Sequence, residues 1–259
     1  MFADDTKAYA QIFDIESCKS LQDDLNKLSA WSQQWLLKFN ATKCVVLRIK
    51  QSLQYIYTLD GIPLSQVHEQ MDLGVLVADN LKPGSHISEI TKRANQRIGM
   101  IKRTFSNFNF ETIDYLFKGI IRPTLEYGAP TWSPWIGKDI SKLEKVQERC
   151  YKLVRDPEVH PEPQPLIERR VYLDLCEVYK IIHGKSKCKI SDFFQMAQSS
   201  TRGHSLKIQR QFCRTDTFKF FFSNRVVSTW NELPEHIVTA SDIDIFKNLL
   251  RSLPQGQKR

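Results

Sequence analysis

No stretch of this chain approaches the roughly 18 consecutive apolar residues a membrane-spanning helix needs, and no charged-then-apolar leader opens it. The expectation is an intracellular chain, the nucleus included, that neither spans a membrane nor is secreted. Cysteine is sparse and unpatterned. Its six positions (Cys18, Cys44, Cys150, Cys176, Cys188, Cys213) contain no Cys-x-x-Cys, which argues for reduced thiols rather than a disulfide framework. His183 and Cys188 lie close together, but no further ligands stand at zinc spacing, so both read as structural. Acid is the minor charge. The 37 Lys and Arg outnumber 29 Asp and Glu, a net charge of +8, which favours polyanionic partners.

What is present supports packed cores: 259 residues, 41% of them hydrophobic, with 15 Phe, eight Tyr and five Trp. Residues 1–12 read as a β-hairpin short of most of its first strand, which suggests further sequence upstream. At its tip stand Asp4 and Asp5. Adjacent aspartates make a natural tight turn, and they also offer the hard oxygen ligands that Mg²⁺ takes. Residues 17–39 have a helical period, with Leu21, Leu25, Leu28, Trp31, Trp35 and Phe39 on one face as core packing. Strands are expected at residues 44–50, 54–59, 62–64 and 71–77, the middle two joined by an Asp60-Gly61 turn. The first 80 residues therefore read β-α-β-β-β with antiparallel pairing.

From Gly84 the chain turns helical. Ile87, Ile90, Ala94, Ile98, Ile101 and Phe105 form an apolar stripe, and Lys92, Arg93 and Arg103 project from the opposite side as candidates for phosphate contact. A second helix carries Ile113, Leu116, Phe117 and Ile120 and is interrupted by Pro123. Residues 125–135, rich in Gly and Pro, exclude a long regular helix. A third helix carries Ile140, Leu143, Val146, Cys150 and Leu153. Four prolines within residues 156–165 predict an extended linker. Residues 166–183 read as helix, and a last helix surrounds residues 246–250. Residues 201–225 hold six Lys or Arg against one acid, Asp216, together with Phe218, Phe220, Phe221 and Phe222. Such a mixture either stacks on single-stranded nucleic acid or fills a small core, and the core is the preferred reading.

Four blocks then combine. They are Phe2-Ala3-Asp4-Asp5-Thr6-Lys7; Trp35-Leu36-Leu37-Lys38-Phe39-Asn40-Ala41-Thr42-Lys43-Cys44; Leu73-Gly74-Val75; and Arg122-Pro123-Thr124-Leu125-Glu126-Tyr127-Gly128-Ala129-Pro130. In this order and spacing they resemble the C-terminal half of reverse transcriptases from LINE-type, jockey-like non-LTR retrotransposons. The segment from Thr201 to Pro234 looks like the tail of the same reading frames.

The resemblance implies an α+β fold. Residues 1–80 are the C-terminal part of a polymerase palm (antiparallel sheet plus helix), and 81–155 a helical thumb. A linker at 156–165 and a mixed tail at 166–259 follow. It implies that Asp4 and Asp5 are the catalytic, metal-binding pair of a two-metal nucleotidyl transfer with Mg²⁺ as cofactor, Phe2 being the aromatic that precedes them. It makes Lys43, in the motif with Asn40, the group that protonates departing pyrophosphate, and it assigns Leu73 and Gly74 to the primer grip. Lys92, Arg93 and Arg103 become contacts to an RNA template and DNA primer. The fingers and the upstream palm aspartate have no counterpart here, so an isolated chain is expected to be inactive. The alternatives are a non-catalytic RNA or RNA–DNA duplex binding module and a non-functional remnant.

Overall fold

The computed structural model describes residues 6–50, 53–106, 108–155, 160–198 and 203–253. The chain divides into two compact units, Met1–Lys82 and Pro83–Arg259. The fold is mixed α and β, with the strands confined to the first unit.

In the first unit, α1 (Ile15–Gln34) starts where the Asp14 carboxylate accepts from the Ser17 amide at 2.8 Å, satisfying a donor the helix cannot. It stops well short of residue 39, because Leu36 enters the left-handed region at φ 56° and cannot continue the helix. Its aromatic stripe is not core. Trp31 is 43% exposed and Trp35 62%. The helix meets the strand Thr58–Leu59, where the Gln22 side-chain amide brackets the backbone of Thr58, donating to its carbonyl at 2.9 Å and accepting from its N–H at 2.8 Å.

The strands depart further from expectation. Residues 6–12 form no strand; no strand among the described residues pairs with their backbone, and an unpaired strand leaves its polar backbone unmatched. Three separate two-stranded sheets replace one antiparallel sheet. The first pairs β1 (Val45–Leu47) with β4 (Ser65–Val67) in parallel, Val45 opposite Ser65. Residues 48–64 supply the crossover a parallel pair needs, and the Asp60-Gly61 hairpin of β2 (Thr58–Leu59) and β3 (Ile62–Pro63) lies inside it. The strand expected at 71–77 is instead a hairpin, β5 (Glu69–Asp72) and β6 (Val75–Ala78), with Asp72 opposite Val75. Leu73 (φ 45°) and Gly74 (φ 83°) form its two-residue turn. Positive φ at both central positions matches the twist of paired strands.

The second unit is helical. In α2 (Gly84–Thr104) the residues Ile87, Ile90, Ala94, Ile98 and Ile101 are buried as their spacing requires. Phe105 caps the end and is 41% exposed, since the chain has already become extended there. Next, α3 (Phe110–Leu116) passes through a π-helical turn, Phe117–Ile121, into α4 (Arg122–Glu126). Pro123 therefore does not end the helical path. It sits in the first turn of α4, where its missing N–H costs least. Gly128 at φ 64° then breaks the path before α5 (Ala129–Trp132) and α6 (Gly137–Tyr151).

After residue 160 come α7 (Leu166–Ile182), α8 (Ile190–Phe193), α9 (Asp216–Lys219), α10 (Phe222–Asn231), α11 (Glu235–Val238) and α12 (Ile243–Ser252). Their core centres on Tyr179, Trp230 and Phe246. Tyr179 stacks on Phe246 with ring centroids 4.4 Å apart and donates its hydroxyl to the Ala240 carbonyl at 2.6 Å. The Trp230 indole donates to Leu206 at 2.8 Å. Each such large side chain, fully buried, contributes about 1.5–3 kcal/mol. The preferred reading of the Phe cluster holds only in part. Phe222 is buried in this core and Phe220 half-buried against Trp135, but Phe218 and Phe221 stand 40% and 46% exposed.

Candidate nucleic-acid interface

The α2 helix presents Lys92, Lys102 and Arg103 as exposed cations, and it lies beside α6 running in the same direction. Two side-chain links fix that register. Lys142 donates to the Ser88 hydroxyl at 3.2 Å, and Arg149 donates to the Asn95 side-chain oxygen at 2.8 Å, seven residues further along both helices. Gly84 and Asp139 are close neighbours at the starts of the two helices; a methyl group at Gly84 would sit 3.4 Å from the Asp139 carboxylate.

The exposed side of α6 is a basic stripe. Lys138, Lys142, Lys145, Arg149 and the capping residue Lys152 recur at three- and four-residue steps, the spacing that stacks side chains on one helical face. The three acids of α6 barely offset it. Asp139 is buried and paired with Lys142 at 3.0 Å. Glu144 faces the other way, its carboxylate accepting from the Leu166 and Ile167 amides at the start of α7. Only Glu148 stands in solvent. Together, α2 and α6 make one cationic surface two helices wide, and apart from the half-buried Lys142 its cations are long, exposed side chains suited to polyanion backbone rather than to an enclosed ligand.

The sequence-predicted residues fare unevenly. Lys92 and Arg103 lie on this surface; Arg93, on the neighbouring flank, pairs with Glu89 at 2.8 Å. The α6 stripe is the part that reading α2 alone misses, although its five-cation periodicity is plain once the helix is assigned. Phe2, Asp4 and Asp5 lie outside the described residues. Asn40 caps a short 3₁₀ turn, Ala41–Lys43, its side chain accepting from the Thr42 hydroxyl at 2.6 Å, and Lys43 stands exposed at the end of that turn. Leu73 and Gly74 form the hairpin turn described above. Lys7, two residues beyond Asp5 in sequence, forms an ion pair with Asp72, the residue before Leu73. Among the described residues no three His, Cys, Asp or Glu side chains are grouped to hold a metal, and no helix is long and apolar enough to cross a membrane.

The block from Arg122 to Pro130 is a structural node. Glu126 accepts a two-point bond from Arg169 and lies 3.7 Å from Arg122. The bond to Glu126 raises the pKa of Arg169 further above its usual value. The Pro130 carbonyl accepts from Arg225 at 2.8 Å, and Arg225 also grips Asp174 through two bonds of 2.8 Å. These part-buried contacts lock α4, α5, α7 and α10 together.

No family model matches the chain, and no solved structure matches it. It is similar to three proteins of mobile elements. It is 24% identical over 148 residues to the probable RNA-directed DNA polymerase from transposon BS of Drosophila melanogaster, covering 54% of this chain and 16% of that protein. It is 21% identical over 159 residues to the probable RNA-directed DNA polymerase from transposon X-element of the same species, covering 59% and 18%. It is 23% identical over 145 residues to the RNA-directed DNA polymerase from mobile element jockey of Drosophila funebris, covering 54% and 16%. The matches span less than a fifth of each relative's length. The resemblance to jockey-like, LINE-type reverse transcriptases is thus found by comparison as well as in the motifs.

Proposed function

We propose that the chain is part of an RNA-directed DNA polymerase of a non-LTR mobile element, and that residues 81–155 are the thumb, holding the backbone of a primer–template duplex on α2 and α6. The observation that carries this reading is the two-helix cationic surface, whose exposed acids are few. Neutralising phosphates releases counterions, so binding there is strong at low salt and carries little sequence information.

In this reading the first unit is the end of a palm. Asp4 and Asp5 supply carboxylate oxygens, the donor set that Mg²⁺ prefers, and bound Mg²⁺ would offset charge on the phosphoryl group being transferred. Lys43, on an exposed turn, is a cation able to approach the leaving pyrophosphate. The Leu73-Gly74 turn meets the primer.

Two measurements test the proposal. The first titrates an RNA–DNA duplex against the full chain at several salt concentrations. Replacing Lys138, Lys145 and Lys152 by Ala is expected to weaken binding and to lower the salt slope by about 0.9 for each phosphate that is no longer neutralised. Binding that is unchanged by this variant refutes the thumb surface. The second is primer extension on an RNA template with Mg²⁺, comparing the chain with its Asp4→Ala/Asp5→Ala variant. Extension that disappears in the variant supports the metal pair. Duplex binding with no extension in either protein fits a polymerase part that is inactive alone and equally the second reading, a binding module without chemistry, which the stripe supports because it needs no part of the first unit.

A further inference from the structure

The exposed phenylalanines of residues 207–222 are not explained by the duplex surface, and they do not belong to the core. Phe212 is 85% exposed, Phe221 46% and Phe218 40%. Three large rings left in water on one short segment cost burial that the fold could otherwise have used, and such a patch points to a binding surface.

The fold brings them together. Ile208 and the Asn231 side chain exchange two hydrogen bonds, of 2.9 and 2.8 Å, at the C-terminal end of α10. Two residues later Arg210 donates to Ser228 at 2.9 Å, one turn back along the same helix. The segment thus runs antiparallel to α10, towards its N-terminal end. There the chain folds through α9, whose cap is Thr215, and returns to α10 with Phe221 as the residue that opens it. Phe212 and Arg214 are therefore carried to the end of α10 where Phe218 and Phe221 stand. Phe220 is already engaged, its ring stacked parallel on Trp135 at 5.7 Å with the Lys219 ammonium 5.3 Å from its centroid. Arg210, Arg214 and Lys219 interleave with the rings, and Asp216 is the acid among them.

We propose that this face binds a single-stranded nucleic-acid segment, its bases stacking on Phe212, Phe218 and Phe221 while Arg210, Arg214 and Lys219 meet its phosphates. The choice of occupant follows from the charge. A hydrophobic protein partner would have to bury these cations, whereas a single strand offers an unpaired π face and a negative charge with every nucleotide, the combination that aromatic and basic side chains bind without regard to sequence. A duplex keeps its bases stacked inside and cannot use the rings. The inference rests on observations separate from the α2–α6 surface, and either can fail alone.

The test is fluorescence anisotropy of the full chain with a labelled oligouridylate, an oligothymidylate, an abasic strand of equal length and a blunt duplex. Phe212→Ala/Phe218→Ala/Phe221→Ala is expected to weaken both base-bearing strands at least ten-fold, since each missing stack is worth about that much. Duplex binding should stay unchanged, and the abasic strand should bind the parent no better than the variant does. Phe212→Ala alone, at the most exposed ring, should already cost several-fold, and an unchanged melting temperature shows that the loss is not unfolding. Uridylate and thymidylate binding alike indicates recognition of the stacked bases and phosphates that both share, as proposed. The proposal is overturned if the triple variant binds single strands like the parent, or loses duplex and strand equally. It is also overturned if the abasic strand binds the parent as tightly as the others, or if the rings instead control self-association in sedimentation.

Discussion

At the scale of single residues, the second unit contains two arginines of opposite value, one half-buried and one buried. Arg225 donates two bonds to the Asp174 carboxylate and also donates to the Phe220 and Pro130 carbonyls, so its charge is well matched. Burial still pushes the Asp174 carboxyl above its usual range, against the pull of Arg225. Asp174→Ala leaves that guanidinium uncompensated and should cost about 3–5 kcal/mol in urea unfolding. Arg170 is 2% exposed, its nearest acid Glu144 is 3.7 Å away, and its terminal nitrogens have no hydrogen-bond partner among the described residues. Burial pulls its pKa down. Arg170→Met should therefore be neutral or stabilising in the same assay. His204 sets the acid limit. Buried, it donates from Nε2 to the Trp230 carbonyl at 2.9 Å and accepts at Nδ1 from the Leu206 amide at 3.2 Å, so the neutral ring fits and a second ring proton would face another donor. Burial depresses its pKa below 6.5, and that of His86 likewise. The unfolded chain then takes up protons first, and stability should fall as pH drops through about 6.5. Melting temperatures between pH 7.5 and 5.5 should decline less steeply in His204→Gln than in the parent. None of these pairings is visible in sequence, because each joins residues from different elements. Arg169-Arg170 shows the limit well: the neighbours look alike in sequence, but one is well bonded and the other is not.

At the scale of elements, legibility follows period and local chemistry. The apolar stripe of α2 gave away both the helix and its buried face, since burying one face is what stabilises a helix in a protein. The period of α1 predicted its existence but neither its end nor its exposure. The end depends on backbone geometry at Leu36, and exposure depends on what covers the helix, which a hydrophobic period does not encode. Strands were harder. The mostly apolar stretch of residues 71–77 conceals the hairpin of β5 and β6, because Leu at a positive-φ turn position is rare and gives no signal. That hairpin supplies a prediction. Gly74 holds φ 83°, so Gly74→Ala should destabilise the first unit by about 1 kcal/mol through strain in the turn, read from hydrogen exchange of the β5–β6 amides.

At the scale of the whole molecule, two compact units predict unfolding that is not two-state. The tryptophans separate the signals. Trp31 and Trp35 in the first unit are largely exposed already, whereas Trp132 and Trp230 in the second are buried. Indole fluorescence should therefore report mainly the helical unit, and its urea midpoint should differ from that of far-ultraviolet dichroism, which sums both. Asp174→Ala should move the fluorescence midpoint most. Coincident midpoints in the parent and in this variant would mean that the units unfold together. The composition foretold a basic, core-forming chain, but not which helices would share their cations, because the pairing of α2 with α6 is made in space across residues 105–136.

The π-helical turn between α3 and α4 has a bearing on how the length of this chain can vary. Ile113, Phe117, Ile121 and Leu125 are all buried at a strict four-residue spacing, which an ordinary helix of 3.6 residues per turn would carry progressively off the core. The wide turn takes up the surplus and keeps all four inward. It amounts to one extra residue stored in a helix, and Gly119, exposed and touching nothing where a side chain would begin, lies within it. Deleting Gly119 would convert the bulge to plain α-helix while the flanking helices keep their phase, so among single-residue deletions in the helical unit this one should be the most readily tolerated.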